Sequence, residues 1–341
     1  MPFSVLRSLV IVLVVLCASL AAQENEKKPA ARPAYDPLRL PAKVDLKTHD
    51  LVVKDERRKR EIPIRIYLDA ARPGPAPVVL FSHGLGGSRE GSSFLGRHWA
   101  SRGYVCVFLQ HPGSDESVWK NVPVLRRREV LSRAASFENS RLRNEDVPAV
   151  LDQLERWNAE KDHLLKGRLD IEHVGMSGHS FGAVTTQAVS GQSFGLMRRR
   201  ASYEEKRIDA AIAFSPSSPK AMTAKAAFGG VKIPWLLMTG TEDVSIIGDT
   251  DVASRLAVFP ALQKGGKYEL VLEGAQHHAF TDGGERGLAP RNPAHHPAIL
   301  AISTAFWDAW LRGDEEARKW LDGKGPRSVL AEKDRWQTKL D

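Results

Sequence analysis

"HVGMSGHSFGAV", residues 173–184, places a serine between two glycines, after a short apolar run and before small residues at helical spacing. Gly178-His179-Ser180-Phe181-Gly182 fits the G-x-S-x-G pattern, in which a sharp strand-to-helix turn exposes a nucleophile and leaves no room for side chains on either flank. A five-residue match of this kind turns up by chance in roughly one chain in eight of this size. The surroundings therefore decide the fold.

Apolar runs recur on both sides of this stretch. Val78–Phe81, Val105–Leu109, His173–Met176, Ala210–Phe214, Trp235–Thr239 and Tyr268–Leu272 read as strands, and their near-continuous apolar character suits a parallel sheet covered on both faces. Between them, "SSFLGRHWASRG" (92–103), "SRLRNEDVPAVLDQLERWNA" (140–159), "FGAVTTQAVSG" (181–191) and "PAILAISTAFWDAWLRGD" (297–314) carry apolar residues at helical spacing, the last stopping at Gly313. "HDLVVKD" (49–55) and "EIPIRIYL" (61–68), separated by charged residues, predict an N-terminal antiparallel hairpin. The pattern predicts an α/β fold with a doubly wound, mostly parallel sheet and helices on both faces. No segment is long enough for a large cap. The domain is expected over residues 46–325, with 326–341 as a C-terminal tail and the Pro-, Ala- and charge-rich residues 23–45 as a flexible leader.

At the N-terminus a lone Arg7 precedes the apolar run Leu9 to Leu16, and "CASLAAQEN" follows. Residues 1–22 read as a signal peptide cut near Ala22 or Ala21, and the run is shorter than the ~20 residues a membrane span needs. Export without a stable membrane anchor is the expectation. Cleavage removes Cys17 and leaves Cys106, inside "YVCVFLQ", as the one cysteine, so no intrachain disulfide forms and a buried, inert thiol is expected. Of 49 Lys and Arg only Arg7 lies in the signal, so 48 stand against 41 Asp and Glu, a balance of +7. The basic clusters "ERRKR" (56–60), "RRR" (126–128) and "RRR" (198–200) are separate and lack interleaved aromatics. They read as solvated faces, and no nucleic-acid signature accompanies them.

In a doubly wound sheet the reactive groups stand at the carboxyl ends of the strands. Ser180 follows the strand His173–Met176, "TGTEDVSII" after Trp235–Thr239 offers Glu242 and Asp243, and "EGAQHHAF" after Tyr268–Leu272 offers His277 and His278. Serine, carboxylate and histidine in that chain order, each after a separate strand, is the α/β-hydrolase order. A serine hydroxyl needs a histidine to take its proton, and the histidine needs a carboxylate to hold its tautomer. At these strand ends the carboxylate is open among Asp243, Glu242, Asp249 and Asp251, and the base between His277 and His278. The strand "VVLFS" runs into "HGLGGSRE", an HG-rich loop of the kind that supplies an oxyanion donor. The backbone N–H groups of Leu85 and Phe181 are the expected oxyanion hole.

"FSHGLGG", "SRGYVCVFLQHPGSD", "GMSGHSFGA", "GTEDVS" and "EGAQHHAF" together resemble the dienelactone-hydrolase-like branch of the α/β-hydrolase superfamily, which includes platelet-activating-factor acetylhydrolases and bacterial cutinase-type polyesterases. The likeness runs over about residues 45–320. It implies ester hydrolysis with Ser180 as nucleophile, Asp243 as acid and His277 as base. The acetylhydrolases place their acid after the strand following the nucleophile, where this chain has "FSPSSP" (214–219) and no carboxylate. The acid therefore shifts to Asp243, as in the dienelactone hydrolases and cutinases. The polyesterases' aromatic at the oxyanion position and tryptophan clamp are replaced by Leu85 and by Ser215 to Pro219, and a serine nucleophile argues against the dienelactone reaction itself.

His83, His179, Trp119 and His278 are candidates to line the substrate pocket, Trp119 within a long loop over residues 110–140. The pairs His277-His278 and His295-His296 lack the supporting spacing of a metal site, and no metal or cofactor is implied. The expected partner is a small-molecule or lipid-like ester with a short to medium acyl group. A polyester or phospholipid is the alternative substrate, and a non-catalytic binding protein on the same fold is the alternative class.

Overall fold

The computed structural model describes residues 34–195, 201–245, 247–282 and 292–341. The signal-peptide reading of residues 1–22 and most of the leader lie outside them. Residues Asp36–Asp341 form one unit.

Among the described residues the main sheet has nine strands: β1 (Leu46–Asp55), β2 (Arg60–Asp69), β3 (Ala76–Ser82), β4 (Val105–Leu109), β5 (Leu169–His179), β6 (Ile208–Phe214), β7 (Trp235–Glu242), β8 (Lys267–Gln276) and β9 (Arg335–Lys339). Their spatial order is β1-β2-β4-β3-β5-β6-β7-β8-β9. The six strands from β4 to β8 run parallel, while β1 and β2 add an antiparallel hairpin at one edge and β9 pairs antiparallel with β8 at the other. This is the α/β-hydrolase arrangement. Every residue of β3 and β4 is buried, which accounts for their unbroken apolar sequence, and Cys106 is wholly buried within β4.

The chain leaves β3 toward β4 on one side and returns through β5 on the other, so the strand order reverses between β3 and β5. The carboxyl ends at such a reversal diverge and leave a crevice. Here they carry the two motifs "SHGLGG" and "GHSFG". Helices α1 (Ser93–Ser101), α2 (Val124–Ala134), α3 (Phe137–Ala159), α4 (Phe181–Val189), α5 (Val252–Leu256) and α6 (His295–Leu311) follow their strands. α3 buries Val147, Val150, Leu151 and Leu154 against the sheet, and its first turn is capped by the Ser136 hydroxyl accepting from the Asn139 N–H. α6 sets Trp307 against Gly175 of β5, where a Cβ would meet the indole at 2.7 Å.

Three boundaries differ from the sequence reading. The loop expected over 110–140 contains α2 and the start of α3; four arginines on α2 lower its apolar periodicity and hid the helix. The tail 326–341 carries β9, whose polar run "RWQTK" gives no strand signal because an edge strand needs one apolar contact at most. Trp336 supplies that contact, stacked on Tyr268 with ring centroids 5.7 Å apart. The end of the leader is docked: the carbonyls of Pro37 and Arg39 accept from His98 Nε2 and Arg102 Nη1 at 3.3 and 2.5 Å.

Trp336→Ala is expected to cost about 2 kcal/mol, the low end for a large aromatic because the ring is half-buried, and to lower Tm by several degrees. An unchanged calorimetric Tm would place the segment outside the cooperative unit.

Candidate active site

Two glycines and one strained serine build the turn between β5 and α4. A Cβ on Gly182 would lie 1.8 Å from the Ser82 carbonyl oxygen, and one on Gly178 would lie 2.4 Å from the Gly182 carbonyl oxygen. The start of α4 can therefore approach the end of β3 only if both positions lack side chains. Ser180 itself sits at φ 57°, ψ −115°, outside the ordinary regions for an L-residue, and its N–H is held by the Phe214 carbonyl at 2.9 Å. This lifts the hydroxyl out of the sheet.

His277 begins a short turn after β8 and places Nε2 2.8 Å from Ser180 Oγ. Its Nδ1 lies 2.7 Å from Asp243 Oδ1. Asp243, wholly buried just beyond β7, also accepts from the Thr239 hydroxyl at 2.8 Å. The geometry joins Ser180, His277 and Asp243 and leaves their rivals elsewhere. Glu242 accepts from Gln276, Asp251 caps α5, and Asp249 is exposed in the turn before it.

The residue missed from the sequence is Arg255, on α5. Its guanidinium is 2% exposed; Nε donates to the Asp243 carbonyl oxygen at 2.6 Å and lies 3.0 Å from Oδ1, while Nη1 donates to the Ser215 carbonyl oxygen at 2.8 Å. Arg255 thus ties the acid to "FSPSSP", the stretch where the resemblance leads one to look for a carboxylate. Nη2 lies 3.1 Å from His277 Nδ1, but with the Nδ1 proton on Asp243 both atoms are donors, so the carboxylate between them holds the contact. Burial acts to raise the Asp243 carboxyl; the hydrogen bond from His277 and the charges of His277 and Arg255 outweigh it, and Asp243 stays below its ordinary value of 3.8. A single arginine among apolar helix residues is a weak sequence signal, because most such arginines reach solvent along their stems.

The two residues expected to form the oxyanion hole reach the cleft from different elements. Gly84–Gly87 form a turn closed by the Gly87 N–H on the Gly84 carbonyl at 3.0 Å, with Gly86 at φ 72°, as a type II turn requires at its third position. Leu85 occupies the second position and Phe181 the first turn of α4. Among the described residues neither of their N–H groups has an acceptor, and both residues line the cleft that holds Ser180. Free N–H groups at a helix start and a tight turn suit a developing oxyanion.

This cleft, about 620 Å³, is walled by Leu85, Phe181, Val184, Leu131, Val244 and Ile247, with Arg128 and Glu242 among its polar groups. Of the four pocket candidates His278 alone lines it. The other three are supports, which corrects the sequence reading. His83 donates from Nδ1 to the Gly84 carbonyl at 2.6 Å and accepts the His111 N–H at Nε2 at 3.1 Å, so both ring nitrogens are spent on backbone. His179 directs Nε2 at the His277 carbonyl at 2.9 Å and packs its ring on His277; burial, then the charge of His277, pushes it down to about 3. Trp119 donates to the Gly86 carbonyl at 2.7 Å and thereby fixes the oxyanion turn. Of the remaining histidine pair, His295 lies 3.1 Å from the Glu273 carbonyl and His296 stacks on Phe94. Among the described residues no group of three or more His, Cys, Asp or Glu is placed to hold a metal.

Residues 68–122 match the family model described as "Platelet-activating factor acetylhydrolase, isoform II". The matched stretch runs from the end of β2 through β3, the oxyanion turn, α1 and β4 to just beyond Trp119, and ends before the serine, acid and histidine. No curated protein matches the chain. The match supports an acetylhydrolase-like, esterase- or lipase-type hydrolase on this fold; it does not extend to the dienelactone-hydrolase or cutinase branches.

Arg255→Met is expected to destabilise the protein by about 3–5 kcal/mol, since it strips a partner from a buried carboxylate. The pH dependence carries the sign. A carboxyl held below its unfolded value adds stability above that value and loses it as pH falls through the folded one. Without Arg255 the folded-state value of Asp243 rises, so the gap between parent and variant is full where the carboxylate is ionised and narrows as pH falls; melting curves should differ most near neutral pH and converge toward acid.

Proposed function

We propose that the protein is an exported serine hydrolase that cleaves carboxylic esters with short to medium acyl groups through an acyl-enzyme on Ser180. One observation carries this reading: the continuous chain Ser180 Oγ, His277, Asp243, at 2.8 and 2.7 Å, opens into a cleft where two backbone N–H groups have no acceptor among the described residues. A turn serine of merely structural use has no need of a histidine and a buried acid in line behind it, nor of two backbone N–H groups left without acceptors beside it.

His277 takes the Ser180 proton as Oγ adds to the ester carbonyl, while Asp243 holds the ring with Nδ1–H toward the carboxylate and stabilises the imidazolium. The carbonyl oxygen becomes an oxyanion that accepts from the Leu85 and Phe181 N–H groups. The tetrahedral adduct collapses as His277 returns the proton to the leaving alkoxide. A water then enters, gives its proton to His277 and attacks the acyl carbonyl, and the carboxylic acid leaves with Ser180 restored.

The cleft's apolar walls set the acyl preference. Burial is worth ~0.8 kcal/mol per methylene, so selectivity between neighbouring chain lengths is shallow until the pocket ends. The acetylhydrolase match favours a narrower second reading, release of a short acyl group from a phospholipid-like ester. Export is supported by the apolar run Leu9 to Leu16 and the small residues after it; among the described residues no helix is long and apolar enough to cross a membrane.

Ser180→Ala should lower kcat for a p-nitrophenyl ester by about 10⁴-fold or more with the fold intact, and should abolish labelling by a fluorophosphonate. A parent protein that neither labels nor turns over would instead be a binding protein on a hydrolase fold. His277→Ala should cost nearly all turnover and His278→Ala little; the reverse result would transfer the base to His278.

Across a series from acetyl to palmitoyl, kcat/KM should be highest from acetyl to about hexanoyl. A maximum at long chains, or faster release from polyester film than from soluble esters, would show the acyl pocket to be larger than its walls indicate.

A further inference from the structure

A second serine, histidine and aspartate lie in line beneath the cleft. Ser82 Oγ is 2.9 Å from His111 Nε2, and His111 Nδ1 is 2.9 Å from Asp146 Oδ2. All three are wholly buried, at 0% exposure, so the set has no access to substrate. Its hydrogen bonds can be assigned completely. Arg60 donates to both carboxylate oxygens of Asp146, at 2.8 Å to Oδ1 and 2.9 Å to Oδ2, Arg58 Nη2 lies 3.0 Å from Oδ1, and the His111 Nδ1–H shares Oδ2 with Arg60. His111 Nε2 then accepts from the Ser82 hydroxyl, whose oxygen accepts in turn from Arg143 Nη2 at 3.0 Å. Burial, and after it the charge of Arg143, pushes His111 down to about 4, so the ring stays neutral and relays no proton at ordinary pH.

Arg143 joins this set to the oxyanion groups. It sits on α3 with its side chain wholly buried, and it spends its guanidinium on four acceptors in three segments at once. Nη2 also donates to the His83 carbonyl oxygen, directly before the turn that bears Leu85. Nη1 donates to Ser114 Oγ at 3.0 Å, and the Ser114 carbonyl accepts the Gly86 N–H at 2.8 Å, directly after Leu85. Nε donates to Thr185 Oγ1 at 3.1 Å, one turn along α4 from Phe181. The guanidinium carbon lies 4.7 Å from the centre of the Phe181 ring, a cation–π contact. One planar cation therefore touches the chain just before Leu85, reaches the chain just after it through Ser114, and touches the helix that starts at Phe181.

We propose that Arg143 is the positioning residue of the oxyanion hole: its buried fork fixes the separation of the Leu85 and Phe181 N–H groups so that both point at one oxygen. The Ser82–His111–Asp146 chain anchors that fork through Ser82 and supplies the negative charge that keeps a buried arginine tolerable. This rests on the serine-hydrolase reading above. Because the two N–H groups act on the oxyanion and hardly on the ground-state ester, loss of their alignment falls on kcat and leaves KM nearly unchanged. Lysine keeps the charge but cannot reach the four acceptors in one plane, so it restores folding better than alignment.

The test uses an oxoester and its thionoester, in which sulfur replaces the carbonyl oxygen. Sulfur is a poor hydrogen-bond acceptor on a longer bond, so a hole sized for oxygen favours the oxoester, and a misaligned hole loses that preference. In the full-length protein Arg143→Met should lower kcat for the oxoester by about 10²–10³-fold, the usual effect of losing one oxyanion donor, with KM nearly constant and the oxo-to-thiono rate ratio falling about as much. Thr185→Val, which removes one acceptor of the fork, should show a smaller fall of the same kind. Should Arg143→Met fail to fold by circular dichroism, Arg143→Lys and Thr185→Val carry the test. Equal losses for both esters, or a change in KM alone, would overturn the proposal. Absence of Ser180-dependent turnover in the parent would overturn the serine-hydrolase reading instead, and labelling of Ser180 by a fluorophosphonate distinguishes that failure from the former.

Discussion

The contact on which the site depends is between backbone and backbone. Gly182, in the first turn of α4, lies so close to the Ser82 carbonyl at the end of β3 that a methyl group would overlap it. That closeness brings the start of α4, where the Phe181 N–H has no acceptor among the described residues, beside the turn after β3 that carries Leu85. It is possible because β3 and β5 are parallel neighbours at the point where strand order reverses. The positive φ of Ser180 follows from the same constraint: the chain must turn from strand to helix within a residue, and the sheet and α4 on either side hold it in a conformation that it would not adopt alone.

Around this contact the protein buries several charges, and the two serine–histidine–aspartate chains show how differently burial can be used. In the outer one the acid is buried but the histidine is partly exposed and the serine opens to the cleft. In the inner one all three groups are wholly buried, and burial first, with the charge of Arg143 after it, holds the histidine neutral. Similar connectivity gives a chain open to the cleft in one case and a rigid, buried strut in the other. Solvent access makes the difference: both acids have arginines alongside, Arg255 at Asp243 and Arg58 and Arg60 at Asp146, and the inner chain adds Arg143, which donates to the Ser82 oxygen.

The sequence discloses what depends on local pattern. The parallel strands, the hairpin and the elbow could be read because each has a periodicity or a glycine requirement confined to a few residues, and Ser180, Asp243 and His277 could be read because the fold brings strand ends together in a known order. The supports were not legible, since each is defined by a partner far along the chain: Arg255 by Asp243, Arg143 by His83 and Thr185, Asp146 by Arg60 and His111. One signal was present. Arg143 continues at helical spacing the face of Val147, Val150 and Leu154, and Asp146 stands three residues after it, so a cation and an anion extend an apolar stripe into the core. His83, His179 and Trp119 look like pocket residues in sequence because they flank the reactive positions. In the structure they face away from the cleft, since their polar edges are needed to hold the backbone that carries Leu85 and His277.

Machinery and specificity are consequently carried by different parts of the chain. The groups proposed to act on the ester carbonyl hang from β3, β5, β7 and β8, whose positions follow from a buried, hydrogen-bonded sheet. The walls that meet the rest of a substrate come from α2 and from the segment between β7 and α5, through Arg128, Leu131, Val244 and Ile247. These wall segments carry no sheet register and few of the core's contacts; Val244 is 54% exposed. Substitutions there can alter cleft shape with little effect on folding, whereas substitutions at Gly178, Gly182 or Arg143 disturb the reacting geometry whatever the ester. The family likeness over 68–122 falls on the oxyanion half of the site and on neither wall. It therefore bears on the kind of bond broken more than on the molecule that contains it, and the acyl preference has to be argued from the size and polarity of the cleft itself.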